Sequence, residues 1–325
     1  PKKVIASSVF ILGLSLSLMK YISNLWEFYL VFGVLAGLGF SGSTVLSNSV
    51  VVSGWFTNRR GKALGILSAG VNVGQMFILP ISMYVILSYG WRFSFSLIGG
   101  ILLLVILPLI LLFIRNNPHT DNKLNSDSQI HGNKQDITYF LKTKPFWLLF
   151  LSFYTCGFTA HGIFMHFPIF VAEYGVSEMD AATLIGMVGG ISIIGVLVMS
   201  FLFDRIGGKN PLASTYLLRS FSVLLLILFI YVNNILILYI FVLLYGFSYF
   251  ATVPLVSGLT RKIYGQSVMG SLLGLIWFSH ALGQSSGPFL AGVLYDYTGS
   301  YFSIYVISSF ILLIASILSY MIKED

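Results

Sequence analysis

Apolar and polar positions in this chain alternate in blocks of about a helix length rather than residue by residue. Ten apolar stretches are separated by short polar connections: 4–22, 28–53, 63–87, 92–114, 146–171, 181–203, 212–232, 235–257, 268–294 and 301–322. A helix needs roughly 20 predominantly apolar residues to cross the hydrocarbon of a bilayer, so the pattern predicts an all-α membrane protein with ten spanning helices. Gly, Ser and Pro inside these stretches do not argue against helix, because neighbouring helices satisfy the backbone groups they free. Composition sharpens the picture: hydrophobic residues make up 57% of the 325, charged residues 9%, and the mean hydropathy is +0.90. A water-soluble core could not hide that much apolar surface.

One polar stretch interrupts the series. Residues 115–145 are rich in Asn, Asp, Ser, Lys and Gly, a linker composition too polar to bury a core. It divides the chain into a half of four spans, 1–114, and a half of six, 146–325. The halves echo each other. At an offset of 209, Gly61 falls on Gly270, Leu64 on Leu273, Gly74 on Gly283, Gln75 on Gln284, Gly90 on Gly299 and Phe93 on Phe302. At an offset of 210, Pro1 falls on Pro211, Tyr21 on Tyr231, Asn24 on Asn234 and Tyr29 on Tyr239. Residues 145–210 have no upstream counterpart. Two pseudo-symmetric halves are the usual build of a secondary transporter, so a twelve-span body lacking its first two helices is expected.

The net charge of +7 invites a nucleic-acid reading, and the placement of the charges rejects it. Fifteen of the eighteen basic residues fall in connections at one face, only Lys20 and Arg92 fall at the other, and Arg219 sits inside a span. Basic residues favour the cytoplasmic side. The bias alternates correctly through ten spans, which predicts a multi-pass protein of the cell membrane with both termini inside. The single cysteine, Cys156, excludes an intrachain disulfide.

Several motifs carry a family resemblance. They are Trp55-Phe56-Thr57-Asn58-Arg59-Arg60-Gly61-Lys62-Ala63-Leu64-Gly65, Tyr89-Gly90-Trp91-Arg92, Asp204-Arg205-Ile206-Gly207-Gly208-Lys209 and Gly283-Gln284-Ser285-Ser286-Gly287-Pro288. Together they resemble helices 3 to 12 of the major facilitator superfamily. They match its helix 4–5 connection, the start of helix 6, the loop signature between helices 8 and 9, and the glycine-proline motif of helix 11. Ser200 stands where that loop signature usually has a glycine. With His166-Phe167-Pro168, the pattern is most like the monocarboxylate porter and oxalate/formate antiporter branch.

The motifs also have a physical reading of their own. Asp204, Arg205 and Lys209, with Arg59 and Arg60 in the first half, place charge at helix ends. Such a cluster can hold two helix ends together in one conformation and release them in another; the alternative is that the bases only set topology. Gly61/Gly65, Gly70/Gly74, Gly186/Gly190, Gly270/Gly274 and Gly283/Gly287 are each four residues apart, a spacing that lets helix backbones approach closely. Pro80 and Pro288 are candidate helix bends.

The resemblance implies a central cavity faced by helices 4, 7 and 10 and flanked by 5 and 11. Polar stripes at helical spacing on those helices give the candidate substrate residues. These are Asn48 with Ser41 and Thr44; Asn72 and Gln75 with Ser68; Tyr154 and His161; Tyr245 and Tyr249 with Thr252; and Trp277, His280 and Gln284. Any one of them fits an interhelical hydrogen bond as well as a ligand contact. His161 and His280 stand out, since an intramembrane histidine can carry a proton or meet an anion. His166 lies on another face and suits an interface role. Arg219 could grip a carboxylate, but the resemblance places its helix outside the cavity, so snorkelling to the membrane surface is expected.

No Asp or Glu lies deep in any span. A cavity of His, Gln, Asn and Tyr suits a small organic anion. The expected function is alternating-access transport of an anionic metabolite such as a monocarboxylate, as symport with a proton or exchange for a counter-anion. A drug or sugar exporter of the same fold is the rival reading, and a non-transporting membrane sensor a more distant one. A monomer embedded in lipid is expected, with a small-molecule substrate and no nucleic acid. No enzyme constellation, cofactor motif or metal site is visible in the sequence.

Overall fold

The computed structural model describes residues 2–55, 60–114, 137–265 and 268–324. Among these there is no strand. In chain order the helices begin with α1 (Lys2–Leu18), α2 (Leu25–Phe28), α3 (Gly37–Gly42), α4 (Val45–Trp55), α5 (Arg60–Tyr89), α6 (Trp91–Ile101) and α7 (Leu107–Phe113). They continue with α8 (Ile137–Leu141), α9 (Lys144–Phe164), α10 (Phe167–Glu173), α11 (Glu178–Ile206) and α12 (Lys209–Val232). The last four are α13 (Ile235–Tyr249), α14 (Thr252–Tyr264), α15 (Met269–Thr298) and α16 (Phe302–Tyr320). Tyr29–Ala36 and Leu102–Ile106 are π-helical stretches.

Nine helical stretches among the described residues are long and apolar enough to cross a membrane, and they correspond to nine of the ten expected spans. The tenth, 268–294, is α15. It is 30 residues long, but Ser279, His280, Gln284, Ser285 and Ser286 dilute its apolar run. Three expected spans are not single helices, the first being 28–53, which breaks at Ser43–Thr44. The stretch 146–171 turns at Met165–His166, ahead of Pro168, and 235–257 breaks at Phe250–Ala251. Pro80 and Pro288 instead lie inside unbroken helices, α5 and α15. Arg59 and most of the 115–145 linker lie outside the described residues. The end of that linker is ordered: α8 buries Phe140 edge-on against Tyr264, and the Thr143 and Tyr264 hydroxyls share a hydrogen bond of 2.7 Å.

The chain forms two compact units. The first comprises Pro1–Val71 and Ile81–Gly132, and the second Asn72–Pro80 with Asn133–Asp325. In the first, α1 runs against α3 and α6. A side chain at Gly39 would meet the Leu12 backbone at 2.5 Å, and one at Gly99 the Ser17 backbone at 2.6 Å, so only glycine permits these approaches. Asn24 caps α2 by accepting from the Glu27 amide at 2.9 Å, while Glu27 accepts from the Ser23 amide at 2.8 Å. This reciprocal box fixes the helix entrance. Leu104, 80% exposed, and Phe113 point outward, as lipid-facing side chains do.

The second unit is built around α9 and α15. Their backbones touch through Gly157, Gly283 and Gly287: a side chain at any of them would collide with the opposite backbone, at His280, Tyr154 or Phe158. On the far side α12 is tied to α16 by the Ser220 and Ser309 hydroxyls, 3.0 Å apart, and by Ser316 donating to the Ala213 carbonyl at 2.8 Å. Small hydroxyls joining helices are common in bilayers, where apolar side chains give no net preference for protein over lipid.

The spaced glycines divide. Gly186, Gly190, Gly283 and Gly287 sit at close approaches, whereas Gly65, Gly70, Gly270 and Gly274 have no neighbour within 4 Å. The expectation that every pair brings helices together is therefore corrected. Spacing identifies a smooth face but not whether another helix covers it.

Candidate functional site

The expected substrate residues fall into three places. Asn48, in the first unit, turns its amide back to the Ser43 and Thr44 carbonyls at 3.1 and 3.0 Å. Asn72 and Gln75 belong to the stretch of α5 grouped with the second unit. Asn72 is buried, and Gln75 donates to the Ile185 carbonyl at 3.3 Å. The other seven, Tyr154, His161, Tyr245, Tyr249, Trp277, His280 and Gln284, all lie on α9, α13 and α15 of the second unit.

An aromatic nest surrounds His280. Its ring packs on Phe153 at 4.4 Å, meets Trp277 at 5.4 Å, and stands edge-on to His161 at 6.3 Å between centroids. The close contact of α9 and α15 at their glycines brings the two imidazoles together. His280 is 8% exposed and His161 half-buried. Further along, Tyr154 bonds the Ser286 hydroxyl at 2.9 Å, and Phe164 packs edge-on against Tyr245 and Tyr249 at 5.2 and 4.9 Å. Gln284 is half-buried on the same helix as His280. Two imidazoles, the Tyr154 and Tyr249 hydroxyls and an indole, with the fully buried Tyr245 beside Tyr249, make a cluster that can donate hydrogen bonds and stack flat groups. It can hold a compact polar anion or pass a proton.

Arg219 is not where the sequence reading put it. Instead of snorkelling outward it is 0% exposed, in the interior of the second unit. Its guanidinium donates to the Ser248 carbonyl, to the Tyr249 carbonyl at 2.7 Å and to Cys156 Sγ at 3.1 Å. It also lies over the Tyr245 ring at 5.5 Å. The sequence signal was present, a lone arginine ten residues into an apolar helix. What overrides snorkelling is the break at Phe250–Ala251, which offers main-chain acceptors inside the bundle. Among the described residues no Asp or Glu is buried, so this cation has no carboxylate partner there.

His166 serves the packing of α9 and α10 against the last two helices. Its ring nitrogens lie 3.1 Å from the Tyr301 hydroxyl and 3.1 Å from the Pro288 carbonyl. At that end Tyr295 donates to Glu173 at 2.5 Å.

The charged loop motif sits at the basic end of the second unit. Asp204 and Arg205 are exposed, and Arg205 stacks over Phe201 of its own helix at 4.3 Å. The helix ends are tied by Glu324 instead. Its carboxylate accepts from Lys262 Nζ at 2.6 Å and from the Lys209 amide, at the start of α12, at 2.5 Å. With Arg205, Lys209, Lys262 and Lys323 it lines an open cavity of about 640 Å³. Burial pushes the Glu324 carboxyl up, but hydrogen bonds from Lys262 and the Lys209 and Gly208 amides outweigh it and hold it below the ordinary value. Glu324 was missed because its partners lie far away in sequence. Among the described residues no cluster of three His, Cys, Asp or Glu is placed to hold a metal ion.

Comparison with known proteins gives this geometry a family. The model of the Major Facilitator Superfamily matches residues 1–288. An uncharacterized MFS-type transporter of Bacillus subtilis, YcxA, is 26% identical over 92% of this chain and 73% of its own length. Monocarboxylate transporter 12 of Mus musculus is 27% identical over 97% of this chain and 69% of its own. Among solved structures, the E. coli fucose:proton symporter FucP aligns with a TM-score of 0.63 at 16% identity, over 99% of this chain and 84% of that one. A bacterial homologue of the human lysosomal transporter Spinster aligns at 0.69 and 16%, over 99% and 82%. These two likenesses speak to the fold alone. With the family model spanning most of its length and membrane-crossing helices throughout, the chain belongs to the Major Facilitator Superfamily of multi-pass membrane transporters.

Proposed function

We propose that the protein moves a small organic anion, a monocarboxylate by preference, across the cell membrane by alternating access. The observation that carries this is the charge inside the second unit. A fully buried arginine and two adjacent imidazoles stand there, and no Asp or Glu is buried among the described residues. Buried ionisable groups in membrane helices mark substrate and ion pathways. A buried guanidinium with no buried acid among the described residues favours an anion over a cationic drug. The resemblance to monocarboxylate transporter 12 points the same way. In this reading His161 and His280 carry the coupling proton or meet the carboxylate, and Tyr154, Tyr245, Tyr249, Trp277 and Gln284 shape the binding surface. Asn72 and Gln75 contribute from the polar stripe of α5. The basic loops lie on the cytoplasmic side, and the monomer is the working unit.

The test is flux in proteoliposomes containing the full-length protein. Uptake that saturates with radiolabelled lactate or oxalate, and is untouched by cationic dyes, is expected. Saturable dye or sugar transport without lactate or oxalate flux would replace this reading with the exporter.

A further inference from the structure

Burying a charge in a membrane bundle is costly unless its surroundings compensate. The groups that compensate Arg219 close, together with it, a ring across four helices. The first two are the Ser248 and Tyr249 carbonyls, the last of α13. Beyond the break the helical ladder is displaced: the Val253 amide bonds to the Phe250 carbonyl at 3.2 Å, one residue short of its helical partner, Tyr249. The Tyr249 carbonyl is thereby left to the guanidinium. The C-terminal end of a helix carries partial negative charge and favours a cation. The third group is Cys156 on α9, which accepts from the guanidinium at 3.1 Å. Cys156 lies 3.3 Å from the Thr252 hydroxyl, on the first residue of α14. The ring thus runs from α12 to the end of α13, across the break to the start of α14, through α9 and back to α12.

We infer that Arg219 is a positioning residue for transport: it fixes the break between α13 and α14 and so sets where Tyr245 and Tyr249 stand. Those two rings share Phe164 as a neighbour, three residues from His161 on α9. A change at the break would therefore move the tyrosines relative to the imidazole. The inference rests on the proposed binding surface. Discontinuous helices in transporters characteristically lie beside the substrate site. What it adds is a residue that never meets substrate and holds that discontinuity from behind. The planar fork matters here because it reaches two carbonyls and a sulfur at once, which a lysine ammonium on a flexible stem does not reproduce.

Hydrogen–deuterium exchange on Arg219→Lys and Arg219→Gln tests this without any substrate. The expected result is exchange faster by about tenfold or more confined to residues 248–254, with α12 and α16 unchanged. In proteoliposomes, Arg219→Lys should raise the KM for lactate about tenfold and lower kcat with it, as hinge changes do. A residue needed only for stability would lower the amount of active protein and leave KM alone. Wild-type exchange in Arg219→Lys, or faster exchange spread evenly over 209–264, would overturn the inference. A wild-type protein that shows no lactate flux, yet gives the local exchange change on substitution, removes the monocarboxylate reading and leaves the positioning role standing. Should neither variant fold, the wild-type guanidinium carries the test by arginine-selective ¹⁵N NMR. Separate, slowly exchanging Nη signals for Arg219 are expected, and a freely rotating averaged group would sink the idea.

Discussion

His280 shows how much one side chain depends on its wall. Its ring is held between Phe153 and Trp277 and turned edge-on to His161, so its position is set by packing before any ligand arrives. An intramembrane imidazole can carry a proton, and substituting His280 should therefore alter how uptake depends on proton concentration. We expect His280→Ala to flatten the pH dependence of lactate flux. Flux that keeps the wild-type profile at every pH would take His280 out of the coupling step. At this scale the sequence was informative about residue type and poor about partners. His161 and His280 were readable as candidates because imidazoles are rare in apolar spans. Arg219 was readable as unusual, but its direction depended on a helix break 30 residues away that no local pattern announces. Tyr154 was readable as part of a polar stripe with His161, whereas its bond to Ser286 follows from how two helices cross.

Helices in lipid associate by fit rather than by hydrophobic drive, so the contact of α9 with α15 stands or falls on Gly157, Gly283 and Gly287. Replacing Gly283 with Val would force the two backbones apart at Tyr154 and Phe158. Overpacking of this kind costs about 1–3 kcal/mol, and it should lower the thermal midpoint of the purified protein while separating His161 from His280. The same change at Gly274, which has open space beside it, should leave the midpoint within error. Equal effects at the two positions would mean that the α9–α15 contact is not the source. Span positions were largely legible, since a run of about 20 apolar residues has few other fates. The breaks at Met165–His166 and Phe250–Ala251 were not, because each lies inside an apolar run and is stabilised by groups from other helices.

At the scale of the whole molecule, charge placement and the Glu324 tie are the features with measurable consequences. A cysteine introduced at Ser128 should react with a membrane-impermeant maleimide in inside-out vesicles and stay silent in intact cells. Cys156, only 3% exposed, gives little background. Labelling from outside would invert the proposed orientation. The Glu324 carboxyl has its affinity for protons lowered by folding, so its contribution is present above the ordinary carboxylate value of 4.5 and is lost as pH falls through the lowered one. Glu324→Gln should therefore cost about 1 kcal/mol at neutral pH, the scale of a pair whose lysine is half exposed, and almost nothing in strong acid. Stability curves of the variant and the parent that stay parallel down to about pH 3 would contradict the assignment.

The polar character of α15 has a consequence for how the protein is made. Its serines, His280 and Gln284 leave it less apolar than the other spanning segments, so the translocon has weak grounds to pass it sideways into lipid by itself. It is synthesised after α9, whose glycine face is already waiting for it, and just before the strongly apolar α16. Insertion of α15 should therefore be a cooperative event. A glycosylation-site reporter would find this segment stranded outside the bilayer when fused alone, and embedded only when α9 precedes it.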